Sequence, residues 1–303
     1  MISLILISIS CPFFLYVNEY YLFLILFFIV GTFTSIINFV TDNVISDTFF
    51  DKKGIYLNIT HIYFSLGALI APVIFLALYS KTNNFRIIFL ILTLVSVFTL
   101  LLILPVRYSE RIEKTSLSTF KNIIKQKSFV YVCISLIVVA GSQITISSWL
   151  PALLQNNLGM DPKVSNYSLS IFWFTVILGR IITAYLSRKI SIVRLIKIQI
   201  GLVSVILIVS GFVKNYYFII TSYLLFGIVT GGLQPLLIAM TLTRYRKNNG
   251  IRLGLIYSNA SLGILLIPTI VGIFGDNFPF YRVISFISIL FLALLVLFRR
   301  IPE

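Results

Sequence analysis

The chain has 303 residues, 59% of them hydrophobic and only 11% charged. A soluble domain carries about a quarter charged residues, so a water-soluble enzyme or binding module is excluded and an all-α polytopic membrane protein is expected. The net charge of +15 invites a nucleic-acid reading, which its distribution along the chain then removes.

Apolar runs recur, each close to the roughly 20 residues that cross a bilayer core as a helix. The period-two alternation of outer-membrane strands is absent, and in lipid an open chain satisfies its backbone only as helix. About ten spans are predicted, at 2–17, 21–48, 55–79, 85–106, 129–154, 167–187, 195–213, 217–243, 253–274 and 281–298. The second and eighth are long enough to tilt or to extend past the lipid. The first has no basic leader and no small-residue cleavage site, so it is read as a span and not a secretory signal. Cys11 and Cys133 both fall in spans and read as small apolar residues, not a disulfide framework.

The longest polar stretch, "VRYSERIEKTSLSTFKNIIKQKSF", divides four spans from six. It sets the expected organisation: a four-helix bundle at 1–106, a cytoplasmic linker at 107–128 and a six-helix bundle at 129–303. Its "STFKNIIKQK" part is predicted to form a short amphipathic helix on the inner leaflet. Alternate loops, taken together with both chain ends, hold 18 of the 24 Lys and Arg residues; the opposite loops hold 5, and Arg180 alone lies within a span. That bias predicts a plasma-membrane protein with both termini in the cytoplasm. The basic excess is then a topology signal and an attraction for anionic membrane lipid, not a nucleic-acid footprint.

Ionisable side chains inside a span are costly and face protein or water. The candidates are Asp42, Asp47, His61 and Arg180. At 100° per residue Gly31, Thr34, Ser35, Asn38, Thr41 and Asp42 share one face of the second span, with Asp47 nearly opposite. In the third span Asn58, His61, Ser65 and Pro72 form a stripe. Asp42 lies ten residues before Lys52 and His61 eight after Lys53, so both are expected roughly 12–15 Å from the connecting loop. Two readings stay open for this pair: a proton-sensitive gate across the hairpin, or a neutral histidine that satisfies backbone between helices.

Gln143 starts a stripe with Ser147 and Pro151. Thr230, Gly231, Gln234 and Thr241 form another, and Asn259 adds an amide in the ninth span. These amides suit an uncharged polyhydroxyl ligand; the competing reading is hydrogen bonding between helices. Arg180 shares a face with Trp173, seven residues earlier, which allows stacking. Gly227, Gly231, Gly232, Pro235, Gly263 and Pro268 are read as positions for close packing and bending.

Several local patterns in order resemble the major facilitator superfamily, nearest its fucose-permease-like sugar transporters. They are "GTFTSIINFVTDNVISD", "LNITHIYFSLGALIAP", "GSQITISSWLPALLQNNLG", "FWFTVILGRIITAYLSRKI", "FGIVTGGLQP" and "NASLGILLIPTIVGIFGD". The resemblance implies two helical bundles and alternating access. It also implies that the chain begins at the family's third helix. The first two helices and the Gly-Asp-Arg loop have no counterpart, and "SRKISIVR" is a degenerate echo of that loop. A misplaced start, a reduced form and a decayed remnant all remain open. Asp47 resembles the family's acidic inner-gate position, and the Gly-Arg pair ending in Arg180 its packing and gating pair. Gln143 stands where a glutamate is frequent, six residues before Trp149, and glutamine carries no proton.

The expected function is secondary active transport of a small solute, a neutral sugar or polyol, with proton coupling through Asp42 and His61. Substrate would line Asn38, Asp42, Gln143, Gln234 and Asn259; Asp42, Asp47, His61 and Arg180 would couple or gate. A drug or metabolite exporter, or an inactive remnant, is the alternative. An enzyme is not expected: there is one histidine, no His-Glu cluster and no Ser-His-Asp set. No Walker loop or dinucleotide turn is present either, so no cofactor is expected.

Overall fold

The computed structural model describes residues 1–49, 53–106, 117–245 and 249–301. Lys52, the first half of the linker (107–116) and the basic pair Arg246 and Lys247 lie outside the described residues. The described residues form twelve α-helices in chain order: α1 (Ile2–Phe13), α2 (Tyr20–Thr48), α3 (Lys53–Thr82), α4 (Ile87–Ile103), α5 (Leu117–Ile124), α6 (Lys127–Leu158), α7 (Pro162–Leu186), α8 (Ile192–Phe212), α9 (Tyr216–Thr230), α10 (Leu233–Arg244), α11 (Asn249–Gly275) and α12 (Phe280–Arg299).

Eight stretches among the described residues are long and apolar enough to cross a membrane, and α1 and α4 are shorter apolar helices. These ten match the ten predicted runs. The remaining helix, α5, is the amphipathic one expected in the linker: Ile123 is buried while Lys121 and Lys125 are exposed.

Helix ends follow from local chemistry. Gly159 takes a left-handed φ of 62° and stops α6, its N–H returning to the Gln155 carbonyl at 3.1 Å. Asp161 caps α7 by accepting from the Lys163 N–H at 2.8 Å, with Pro162 as the first helical residue. Ser191 caps α8 and Asn215 caps α9 in the same way.

The chain separates into two compact units: Met1–Val44 with Val73–Lys114, and Ile45–Pro72 with Thr115–Glu303. In the first, α1 packs along α4. An aromatic cluster forms its core, with Phe14 stacked on Phe89 at 4.0 Å and edge-on to Phe23 and Phe27 at 5.0 and 4.9 Å. Ser8 donates to Ser96 at 2.8 Å within it. Arg86 ties off one end, donating to the Leu15 carbonyl at 3.2 Å and to Asn18 at 2.9 Å. Cys11 is buried in this unit.

In the second unit α6 lies along α11, α8 along α12 and α7 along α9. The α6–α11 seam rests on Gly141 and Gly263. A Cβ on Gly263 would stand 2.0 Å from the Ile137 carbonyl oxygen, so backbone meets backbone there. Cys133 on α6 is buried in this unit.

Arg252 departs from its expected place among the loop cations. It belongs to α11 and is 4% exposed. Its guanidinium lies over the Tyr245 ring at 3.8 Å and near Phe129 at 5.3 Å, and donates to Gln126 at 3.0 Å. Aromatic faces and one amide replace the water a loop cation would have.

Candidate functional site

The predicted eighth span is not one helix. It breaks at Gly231 and Gly232 into α9 and α10. Pro235 has no N–H, so the Gly231 carbonyl four residues earlier has no helical donor. Such a carbonyl in a membrane interior needs another partner. Arg180 supplies it, donating from Nε to the Gly231 oxygen at 3.1 Å, and its Nη1 donates to Ser65 on α3. Gln143 reaches the adjacent residue, its Nε2 donating to the Thr230 carbonyl at 3.0 Å and lying 3.1 Å from the Thr230 hydroxyl. Side chains from α6 and α7 thus hold the break from two sides.

Glycine is what lets them arrive. A Cβ on Gly179 would stand 2.0 Å from the Ile228 oxygen, and one on Gly231 2.4 Å from the Val176 oxygen. α7 therefore meets the end of α9 and the break through backbone in the turn that leads into Arg180. Arg180 is 1% exposed and Gln143 3%. A second amide lies one turn along: Gln199 donates to Thr183 at 2.7 Å, and Thr183 packs against Gly232. The first half of α3 docks on α7 through three contacts. These are the Arg180–Ser65 bond, a 2.8 Å bond from Ser170 to the Leu69 carbonyl, and Phe64 edge-on to Trp173 at 5.7 Å.

Of the predicted residues, Gln143 and Arg180 converge on adjacent carbonyls, and Gln234 sits half-buried in the first turn of α10. Asn259 is half-buried and donates to the Leu255 carbonyl of its own helix at 2.8 Å. His61 is half-buried on α3 and Asp47 is exposed near the end of α2, both in the second unit. Asn38, half-buried, and Asp42, 2% exposed, belong to the first. In the α2 stripe the hydroxyls of Thr34 and Ser35 bond to carbonyls of their own helix at 2.8 and 3.0 Å. The sequence reading missed the break itself; its signal was a proline four residues after a glycine.

The arrangement offers chemistry of one kind: reversible hydrogen bonds from an amide and a guanidinium to the free backbone of a discontinuous helix. Broken helices of this type carry substrate sites and pivots in transporters.

A family model for the Major Facilitator Superfamily matches residues 1–248. The glucose/mannose transporter GlcP of Bacillus subtilis (strain 168) is 23% identical over 133 residues. That match covers 44% of this chain and 33% of GlcP, so it spans about a third of the relative's length. The E. coli fucose:proton symporter FucP superposes with a TM-score of 0.79 at 14% identity, over 99% of this chain and 82% of that one. The human organic anion transporter MFSD10 (TETRAN) gives 0.74 at 13% identity, over 98% and 75%. At these identities the structural likenesses speak for the fold, and the family match covers most of the residues: the chain belongs to the Major Facilitator Superfamily.

Proposed function

We propose that the chain is a secondary active transporter of a small neutral sugar or polyol, working by alternating access. The break at Gly231–Gly232 carries this reading. Its ends are held by side-chain hydrogen bonds, so α9 and α10 can change their mutual angle by exchanging partners, without unwinding a helix. The buried polar groups around it are an amide, hydroxyls and a guanidinium already bonded to backbone. Exchanged from backbone to solute, the amide and hydroxyls would pair donors and acceptors with a hydroxylated neutral solute. GlcP, a glucose/mannose transporter, and FucP, a fucose:proton symporter, support a sugar. The 18-to-5 basic bias supports a plasma-membrane orientation with both termini cytoplasmic.

Counterflow of labelled glucose, mannose and fucose into proteoliposomes tests the reading. Gln143→Leu is expected to reduce counterflow of the preferred sugar at least tenfold, since a site built for a hydroxyl rejects its ligand when one polar partner is lost. Export of lipophilic cations with no sugar counterflow would replace it with a drug exporter.

Proton coupling is assigned in this reading to Asp42 and His61, one buried carboxyl and one half-buried imidazole in different units. Asp42→Asn is expected to abolish accumulation driven by a pH gradient while leaving exchange measurable. His61→Gln should shift the pH profile of uptake. Accumulation by Asp42→Asn at the parent rate would remove the coupling role.

A further inference from the structure

Two open apolar grooves flank α12. One, of about 670 Å³, lies between α11 and α12, with Ile270, Phe274 and Leu290 among its walls. The other, of about 580 Å³, lies between α8 and α12, with Ile208, Ile289 and Leu292. Arg282 and Phe286 line both grooves, and Lys214 lines the second. We propose that the pair holds one anionic phospholipid, an acyl chain in each groove and the phosphate on Arg282 and Lys214.

Position and charge carry the assignment. Arg282 is in the first turn of α12 and Lys214 two residues past the end of α8. Both are therefore at helix ends, where lipid headgroups lie. Both are exposed. The Arg282 guanidinium lies 5.9 Å from the Tyr281 ring centroid, and among the described residues no carboxylate bonds to either cation. The planar guanidinium fork matches two phosphate oxygens, and the lysine adds a point charge.

Below the cations the walls of the first groove are wholly apolar, and those of the second are apolar apart from Ser285 and Ser288. Leu290 in the first groove is eight residues past Arg282 and Leu292 in the second is ten, roughly 12–15 Å deeper along the helix, so each groove follows an acyl chain inward from the headgroup. Phe286, 64% exposed, is the partition between them. The second groove is shaped by a close approach: a Cβ on Gly211 would stand 2.6 Å from that of Ser285. A lipid held only by apolar contact would need none of the charge at the shared mouth.

The test uses the full chain in phosphatidylcholine vesicles with a small fraction of spin-labelled phosphatidylglycerol, or of spin-labelled phosphatidylcholine as control. The immobilised fraction reports binding. The parent is expected to retain phosphatidylglycerol over phosphatidylcholine by about 25-fold, roughly fivefold for each cation. Lys214→Gln with Arg282→Gln should erase that preference, while Arg299→Gln with Arg300→Gln, at the other end of α12, should leave it. Leu290→Trp, which fills one groove without changing charge, should shorten retention of phosphatidylglycerol. Equal retention of the two lipids by the parent overturns the proposal, as does unchanged preference in the double variant. Exclusion of both labels from this face with a dimer in the vesicles gives the grooves to a second copy and overturns it too.

Discussion

Arg180→Met is expected to abolish transport and to lower the stability of the second unit by about 3 kcal/mol. Methionine keeps most of the apolar stem but donates nothing. The Gly231 carbonyl, already deprived of a helical donor by Pro235, then loses its side-chain donor at a site where Arg180 is 1% exposed. Ser65 loses its bond as well, and with it one of the ties between α3 and α7. Arg180→Lys separates the two contributions. An ammonium keeps the charge but lacks the fork that reaches the Gly231 oxygen from Nε and Ser65 from Nη1 at once. It should recover part of the stability and little of the transport. Thermal unfolding in detergent, read beside counterflow, checks both variants; an unchanged melting temperature for Arg180→Met would show that the break holds itself.

Gly263→Ala is expected to destabilise the chain by at least about 3 kcal/mol, although it adds one methyl group. That methyl has no room: its carbon would stand 2.0 Å from the Ile137 carbonyl oxygen and 2.7 Å from the Ile137 carbonyl carbon. Backbone cannot swing aside as a side-chain tip does, so α6 and α11 must separate along their length. Membrane helices associate largely through such close packing, and the loss is not regained elsewhere. Gly254→Ala on the same helix is the control. Nothing lies within 4 Å of its added carbon, so alanine should be neutral or stabilising by roughly 0.5–1 kcal/mol. Equal melting temperatures for the two variants would refute the seam.

The apolar runs made the helices legible, because crossing a bilayer fixes length and composition independently of any partner. Glycine and proline positions were legible as close-packing and bending sites. What they bend was not. Gly231, Gly232 and Pro235 read as flexible points in one span, yet the missing Pro235 N–H ends one helix and starts another. Helical periodicity predicts a face and says nothing of what that face meets. Arg180 was matched with Trp173, seven residues away on its own helix. Its bonds to Gly231 and Ser65 reach partners 51 and 115 residues distant. Asn259 stood out as an interior amide, and its Nδ2 donates one bond to a carbonyl one turn back on its own helix, a partner that a helical face does not reveal. Arg252 sat among loop cations because charge density marks a loop. The aromatic ring of Phe129 that shelters it comes from α6.

The two cysteines acquire a use from their burial. Cys11 is 1% exposed in the first unit and Cys133 9% exposed in the second. A thiol reagent therefore finds little to react with while the protein is folded. Once a unit opens, it marks that unit alone. The native chain thus carries one silent reporter per unit, and the order in which the two thiols become reactive during denaturation gives the order in which the units come apart. Single cysteines placed on the surface for topology or distance measurements need no prior removal of native ones, so the wild-type background is itself the reference for such work.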